Sequence, residues 1–412
     1  MNRLLYTAYQ ANVALSAPAR LGSTTALKLL EARPEALRSP IARHLAAAST
    51  VVAGNRLTHA RPDFERGIPF VDADGNRAEQ DVVAERPFAN LIRFRIPGRG
   101  GQPKVLIAAP LSGHFATMLA PTVRTMLTDH EVYITDWRNA RDVPVSEGRF
   151  GLDEYVDHLI EFLRYLGPGV NLLAVCQPCV PAVMAVAALA ADDDPAQPQS
   201  LTLMAGPIDT RANPARINKL AYRQPLSAYR RFLTVVPRRY AGAGRLVYPG
   251  FLQIGGFMSL NLRRHLDSYR EIYRSIARGE ADASRRTREF YEEYFAVLDM
   301  DADFYLESIE RIFQQDLLAR GLMTYHGRGI DPGTIRRTAL LTVEAERDDM
   351  CLVGQTAAAH RLFSGIKPDM HREYVQPGAG HYGVFAGSRW ATETYPVIRD
   401  FIAEFSRLPS IT

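Results

Sequence analysis

The sequence has few cysteines, little net charge and no long apolar run. Three cysteines among 412 residues exclude a disulfide framework and are typical of a reducing compartment. The formal net charge of +4 comes without a block of lysine and arginine, so the composition disfavours binding to nucleic acid. The stretch "HLAAASTVVAG" is too short and too rich in alanine to cross a bilayer, and the first residues lack the apolar core of a signal peptide. We therefore expect a cytoplasmic protein without a transmembrane segment.

Short apolar runs that alternate with helical patterns predict the fold class. Hydrophobic residues make up 47% of the chain, enough for a large core. Runs typical of buried strands lie at 104–109, 131–137, 171–175, 201–204, 338–344 and 373–376. Because continuous apolar strands alternating with helices are typical of parallel sheets, we expect an α/β fold with a mostly parallel, doubly wound sheet.

The expected domain organisation has four parts. Residues 1–65 predict an N-terminal helical segment, and residues 66–210 predict the first part of the α/β core. Residues 211–337 are rich in arginine, tyrosine and phenylalanine, with helical patterns and no convincing strand. An insertion between sheet strands is typical of a cap over an active site, and a helical subdomain without a gating role is the alternative. Residues 338–412 complete the predicted core.

The stretch "LLAVCQPCVPAVMAV" contains Cys176, for which four interpretations exist. A redox pair with Cys179 fits the local pattern, including Pro178, but a redox motif of this kind belongs to a small unit rather than to a large sheet. Metal binding is disfavoured because no second cysteine pair or H-x-x-x-H motif completes a tetrahedral site. The remaining interpretations are ordinary core packing and a nucleophile displayed on a strand-to-helix turn.

The nucleophile interpretation requires an acid and then a histidine, each after a later strand. Asp348 and Asp349 follow the strand in "TALLTVEAERDDM", and His381 follows "EYVQPGAG". An aspartate after a strand is usually a turn residue, but here all three residue types come in the required order. The imidazole can take the thiol proton, and the carboxylate can orient the imidazole. The spacing thus favours a Cys–His–Asp triad and leaves the two aspartates open.

Backbone N–H groups near Cys176 are expected to stabilise an oxyanion. The N–H of Gln177 is the first candidate donor, and Leu111 or Ser112 in "APLSGH" would supply the second. The turn departs from G-x-S-x-G because Ala174 and Pro178 replace the flanking glycines. Alanine is small, and proline near a helix start loses only an N–H that would be unpaired.

The chain resembles the intracellular polyhydroxyalkanoate (polyhydroxybutyrate) depolymerases, α/β-hydrolases with a cysteine nucleophile. The resemblance covers nearly the whole chain and is weakest in the first 60 residues. The motifs that carry it are "VCQP", "APLSGH", "VYITDW", "GPID", "VYPGFLQ", "EFYEEYFAVLDM", "TVEAERDDM", "GQTAAAH" and "GHYGVFAG". It implies Cys176 as the nucleophile, Asp348 as the acid and His381 as the base. Cys179 departs from the family, whose members carry threonine near this position, and leaves open a reversible disulfide with Cys176.

The resemblance also implies a substrate and a location. The substrate is the amorphous granule polyester of 3-hydroxybutyrate, cleaved through a thioester on Cys176, at the granule surface in the cytoplasm. Since no metal or nucleotide motif is present, no metal and no cofactor is expected. A neutral polymer calls for an apolar groove, which the aromatic residues of the insertion could line. A homo-oligomer is compatible with the sequence.

Two rival functions remain open. A polyester synthase uses the same three residue types, but synthases usually keep glycines around the cysteine and a D-H pair at the acid. A granule-coating protein with an inactive hydrolase fold is the other rival, which an intact triad disfavours. The N-terminal segment either adsorbs to the granule or packs on the core or a second subunit. The residues behind that pair of interpretations are Arg3, Leu4, Leu5, Ala8, Val13, Leu15, Arg20, Leu27, Lys28, Leu29 and Leu30.

Overall fold

The computed structural model describes residues 4–65, 69–72, 74–260 and 262–406. Arg3 lies outside the described residues, and so do the side chains of Leu4 and Leu5. The strands are β1 (Glu79–Glu85), β2 (Ala89–Arg95), β3 (Lys104–Ala108), β4 (Glu131–Trp137), β5 (Val170–Val175), β6 (Ser200–Met204), β7 (Thr234–Val235), β8 (Leu246–Tyr248), β9 (Met300–Asp301), β10 (Thr324–Tyr325), β11 (Arg328–Gly329), β12 (Ala339–Ala345) and β13 (His371–Gln376).

Helices precede, connect and follow these strands. The α-helices are α1 (Leu4–Glu31), α2 (Pro40–Gly54), α3 (Ala120–Met126), α4 (Leu152–Leu166), α5 (Cys179–Ala191), α6 (Arg216–Arg223), α7 (Leu226–Arg230), α8 (Gly250–Leu260), α9 (Leu262–Arg278), α10 (Arg285–Tyr294), α11 (Ala302–Glu307), α12 (Ala359–Leu362), α13 (Gly387–Arg389) and α14 (Tyr395–Ser406). Among the described helices, none is both long enough and apolar enough to cross a lipid bilayer.

The central sheet has eight strands in the order β1-β2-β4-β3-β5-β6-β12-β13. The pairs from β4 to β13 are parallel, whereas β2 runs antiparallel to both β1 and β4. Every residue of β5, β6 and β12 is buried, as expected for strands covered by helices on both faces. The expected α/β class with a mostly parallel sheet is confirmed.

The six predicted strands are present as β3, β4, β5, β6, β12 and β13. The predicted set lacked β1 and β2, which form the antiparallel edge. Strand β1 is mostly exposed and carries charged residues, so it has no apolar run. In β2, buried residues are interrupted by partly buried ones, so this strand lacks the continuous apolar run that is typical of the parallel strands.

The insertion is mainly helical, but the expectation that it holds no strand is wrong. Strands β7, β8 and β9 form a small antiparallel sheet within it, and β10 pairs with β11 in a hairpin. Each of these strands has two or three residues, which is too short to produce an alternation that a sequence pattern could reveal.

The N-terminal helices pack on the insertion. Ala46 and Ala47 of α2 share an apolar cluster with Ile272 and Ile276 of α9, and Leu27 and Leu30 of α1 pack against that cluster. This contact places the N-terminal segment on the same side of the molecule as the insertion.

A polar cluster fastens the start of α1. The Tyr6 hydroxyl donates to the Asp299 carboxyl group, and His59 Nε2 lies 3.2 Å from the other Asp299 oxygen. The Asp299 carboxyl also accepts from the N–H of Gly250 at 2.9 Å. These bonds join α1 to the start of α8 and to the chain beside β9.

Candidate active site

Cys176 lies on a sharp turn between β5 and α5. Its φ is +66°, a left-handed conformation that is strained for any residue other than glycine. The Cys176 N–H donates to the Met204 carbonyl at 2.7 Å, and the Cys179 N–H donates to the Cys176 carbonyl at 3.1 Å. The turn therefore holds the thiol at the carboxyl end of the sheet, in the geometry of a nucleophile elbow.

Gly206 provides the space that this turn needs. A Cβ at position 206 would lie 2.2 Å from Cβ and Sγ of Cys179 and 3.0 Å from the Cys176 carbonyl oxygen. The usual glycines beside the nucleophile are replaced by Ala174 and Pro178, so part of the crowding is relieved from the neighbouring strand end instead. The sequence motif "AGPID" contained this glycine, but nothing in one sequence marks it as a packing partner of the turn.

His381 and Asp348 form a buried pair beside Cys176. His381 Nδ1 lies 2.8 Å from Asp348 Oδ2, and the two side chains are 5% and 0% exposed. Asp348 follows β12 and His381 follows β13, so adjacent parallel strands bring them together. Burial acts to lower the pKa of His381, but the adjacent Cys176 and Asp348, through charge and hydrogen bonds, raise that pKa well above its usual value. The imidazole can therefore take a proton from the Cys176 thiol while Asp348 stabilises the charged ring.

The loop geometry separates the two candidate acids. Asp348 Oδ1 accepts from the N–H groups of Met350 and Cys351, each at 2.8 Å, which fixes the carboxylate while Oδ2 faces His381. Asp349 is exposed, and its charge contributes to raising the pKa values of Tyr294 and Tyr382. The structure thus brings Asp348 to the histidine and Asp349 to the wall of a cleft.

The other two cysteines are buried and differ from Cys176. Cys179 Sγ points to the carbonyl oxygens of Ala174 at 3.4 Å and Met204 at 3.7 Å. Burial raises the pKa values of Cys179 and Cys351 well above that of a free thiol. All three thiols are free, so the disulfide that the sequence left open is not formed in this structure.

The expected oxyanion donors lie close together, with one of them already paired. The Leu111 N–H donates to Oε1 of Gln177 at 3.2 Å, and Gln177 is 9% exposed. The Gln177 Nε2 atom is buried without a hydrogen-bond partner among the described residues. Ser112 is partly buried, and burial lowers the pKa of nearby His114 to about 4. His114 is therefore neutral near pH 7 and is unsuited to hold an anion by charge.

A cleft of about 790 Å³ opens on His381. Aromatic residues of the insertion line it, as the sequence suggested, but so do four arginines and only one carboxylate, that of Asp349. The arginines are Arg216, Arg264, Arg286 and Arg389, and the aromatic residues of the insertion are Phe290, Tyr291 and Tyr294. The aromatic lining agrees with the expected groove, but the arginines make this cleft cationic as well, which the expectation did not include. The arginine content of the insertion was visible in the sequence, but its position was not.

No group of three or more histidine, cysteine or acidic side chains within the described part of the chain is arranged to hold a metal ion.

The sheet is mostly parallel, and Cys176 lies between β5 and α5 in the left-handed backbone conformation. Asp348 and His381 follow β12 and β13. This arrangement is that of the α/β-hydrolase fold. Residues 205–406 match the family model described as "PHB de-polymerase C-terminus". This match, over just under half of the chain, and the curated relative described next support a polyhydroxyalkanoate-related family of α/β-hydrolases, as the resemblance in the sequence implied.

A curated relative is the poly(3-hydroxyalkanoate) polymerase subunit PhaC of Haloferax mediterranei. It is 22% identical over 315 residues, which are 74% of this chain and 59% of the relative. The chain thus spans less than two thirds of the relative that it matches.

Similar solved structures include a thermophilic esterase from Thermogutta terrifontis and a monoacylglycerol lipase from Paleococcus ferrophilus. The esterase is 15% identical with a TM-score of 0.43, covering 80% of this chain and 99% of the esterase. The lipase is 12% identical with a TM-score of 0.41, covering 77% of this chain and 99% of the lipase. Because these scores are low, the fold assignment rests on the sheet topology of the chain itself.

Proposed function

We propose that this protein cleaves ester bonds of a storage polyester, poly(3-hydroxybutyrate) or a related polyhydroxyalkanoate, with Cys176, His381 and Asp348 as a catalytic triad. The observation that carries the proposal is the position of Cys176, in a left-handed backbone conformation, beside the buried His381. Nδ1 of His381 lies 2.8 Å from the buried carboxylate of Asp348. The match of residues 205–406 to the depolymerase family model supports the choice of polyester as the substrate.

The reaction proceeds in two acyl-transfer steps. The Cys176 thiolate attacks an ester carbonyl, the ester C–O bond breaks, and protonated His381 gives its proton to the departing alcohol oxygen. The acyl group is then a 3-hydroxyacyl thioester on Cys176. His381 next takes a proton from water, the hydroxide attacks the thioester, and the thiolate leaves. Asp348 stabilises the imidazolium in both steps without itself taking the proton.

The backbone N–H groups of Gln177 and Leu111 are the proposed oxyanion donors. The Gln177 N–H lies at the first residue after the nucleophile, where such folds place one donor. The Leu111 N–H is paired with the Gln177 side chain, 3.2 Å from its Oε1, so the substrate carbonyl must displace that oxygen to reach it. Ser112 is the alternative source of the second N–H.

A polyester synthase is the second candidate, because the curated relative is a polymerase subunit. It would form the same thioester, and the hydroxyl of a growing chain would then replace water as the acceptor. The depolymerase is favoured because the family model that matches 205–406 is that of depolymerases.

The test is to incubate the protein separately with native amorphous granules and with 3-hydroxybutyryl-CoA, and to follow polymer mass and soluble products. We expect granule polymer to disappear and 3-hydroxyacid products to appear, with Cys176→Ala as the inactive control. Growth of polymer from the CoA thioester would favour the synthase. Binding to granules without either reaction would favour a coating protein. The cytoplasmic, granule-associated location is part of this proposal, and fractionation of cells checks it.

A further inference from the structure

The cleft beside His381 carries more positive charge than a neutral ester chain requires. Four arginines and one aspartate line a volume of about 790 Å³, which lies in the usual size range of ligand pockets. Ester carbonyls are neutral acceptors, whereas guanidinium groups bind carboxylates and phosphates in charge-assisted geometry. The lining therefore indicates that part of the ligand is an anion.

The cleft borders the residue that serves the leaving group in the proposed function. His381 is part of its lining, and in that function it gives a proton to the departing alcohol oxygen, whereas Cys176 is not among the lining residues. The alcohol that departs is the piece of polyester on the carboxyl-terminal side of the broken bond. When the bond broken is the last one of the chain, that piece is a 3-hydroxyacid whose free carboxylate is two carbons from the departing oxygen.

Arg264 is a cleft arginine that acts electrostatically on Tyr382, the residue after His381. It lies in α9, and it shares the cleft lining with His265 and Ser268 of the same helix. Burial raises the pKa of Tyr382 well above its usual value, and Arg264 acts on that hydroxyl in the opposite sense. Tyr382 directly follows His381, and the centroids of their rings are 5.7 Å apart. Arg389 is held at the cleft wall by donating to the Gly378 carbonyl, in the loop that leads to His381.

We propose that the arginine-lined cleft binds the free carboxylate at the end of the polyester chain, so that the enzyme removes units from the carboxyl end. This inference rests on the proposed function, because it assigns the cleft to the leaving group of that ester cleavage. The aromatic side chains of Phe290, Tyr291 and Tyr294 contact the apolar methyl and methylene groups of the same unit.

The kinetic test uses soluble trimers of 3-hydroxybutyrate with a free carboxylate or with a methyl ester at that end. We expect the wild-type protein to prefer the free acid by about tenfold or more in kcat/KM, the scale of a charge-assisted hydrogen bond. Arg264→Gln should lower the rate on the acid far more than the rate on the methyl ester, and so remove most of the preference. Arg263→Gln is the matched control, since Arg263 is exposed on the same helix and does not line the cleft.

A binding test separates this inference from the proposed function. In the Cys176→Ala protein, calorimetry should show tighter binding of the trimer acid than of its methyl ester, and Arg264→Gln should remove the difference. Equal binding of acid and ester would overturn the inference even if both are hydrolysed. Preferential binding of the acid, with no cleavage by the wild type, would support the cleft and contradict the proposed function. If inorganic phosphate binds more tightly than the acid and only its binding needs Arg264, the cleft serves a phosphorylated ligand and the inference is overturned.

Discussion

Apolar side chains are buried at the carboxyl end of the central sheet, whereas several are exposed on the N-terminal helices α1 and α2. All residues of β5 and β12 are buried, and of the elbow residues 174–179 only Cys176 is partly exposed. On α1 and α2, by contrast, Leu15, Leu21 and Ile41 are 82%, 70% and 82% exposed. The first region encloses the proposed nucleophile, while the second leaves apolar area exposed that the proposed function would use for adsorption to a granule. Bond cleavage and adsorption should therefore be separable by mutation.

The largest effect is expected at the thiol. Cys176→Ala removes the nucleophile and should lower the rate of polymer cleavage by on the order of 10⁴-fold or more, as for other triad nucleophiles. Thermal unfolding should be nearly unchanged, since the site keeps its backbone turn. Product release from granules and from soluble trimers measures the effect, and binding to granules should persist.

Cys179→Ala is the matched control, because Cys179 is fully buried behind the turn. It should keep substantial activity. Iodoacetamide at neutral pH should modify Cys176 alone, because burial raises the pKa values of Cys179 and Cys351 well above the free thiol value. Comparable loss of activity from both alanine variants would instead favour the redox interpretation.

The second effect concerns the acid. Asp348→Asn keeps an oxygen for the Met350 and Cys351 N–H groups but loses the charge that stabilises protonated His381. We expect kcat to fall by about several hundred-fold or more. Asp349→Asn, which differs by one position, should change the rate far less. If Asp349→Asn is the inactive variant, the acid assignment moves to that residue.

Some features of the fold and of the candidate site could be predicted from the sequence, whereas contacts between distant residues could not. The six parallel strands and the order of cysteine, acid and histidine were predicted, because burial on both faces produces continuous apolar runs and the fold fixes the order. The pairing of Leu111 with Gln177 joins residues 66 positions apart, so no local pattern encodes it. The same holds for the arginine-lined cleft, whose lining comes from α6, α9, α10 and the segments after β12 and β13. Strands β7 to β11 were not predicted because they are too short to show the two-residue alternation of a strand.

The third effect tests adsorption at the N-terminal helices. Leu27 and Leu30 pack against the insertion, whereas Leu15 and Leu29 are exposed, so the segment packs on the rest of the chain through one face and adsorption through the other stays a prediction. Deleting residues 1–30 would also remove the Tyr6 bond to Asp299, so substitutions give a cleaner result. The triple change Leu15→Ser, Leu21→Ser and Ile41→Ser should reduce co-sedimentation with granules by about tenfold or more, from lost apolar burial.

Hydrolysis of soluble trimers should be unchanged in that triple variant. Its control replaces three exposed alanines of α1 with serine, namely Ala11, Ala14 and Ala19. Equal loss of activity on granules and on trimers would indicate that these side chains support the fold, and unchanged sedimentation would remove α1 and α2 from the adsorbing surface.

The smallest effect is expected at Gln177, within the buried region. Its Oε1 accepts the Leu111 N–H at 3.2 Å, so in the free enzyme it occupies a donor that the oxyanion needs. Gln177→Ala leaves both backbone N–H groups in place and removes the competitor, so kcat should stay within a few-fold and KM should fall or stay the same. Gln177→Glu would hold the Leu111 N–H more tightly and repel the oxyanion, so kcat should drop clearly. Steady-state kinetics on the trimers distinguishes the two variants. A fall of about 10²–10³-fold in kcat for Gln177→Ala, the usual cost of losing one oxyanion donor, would instead make the side-chain amide of Gln177 that donor.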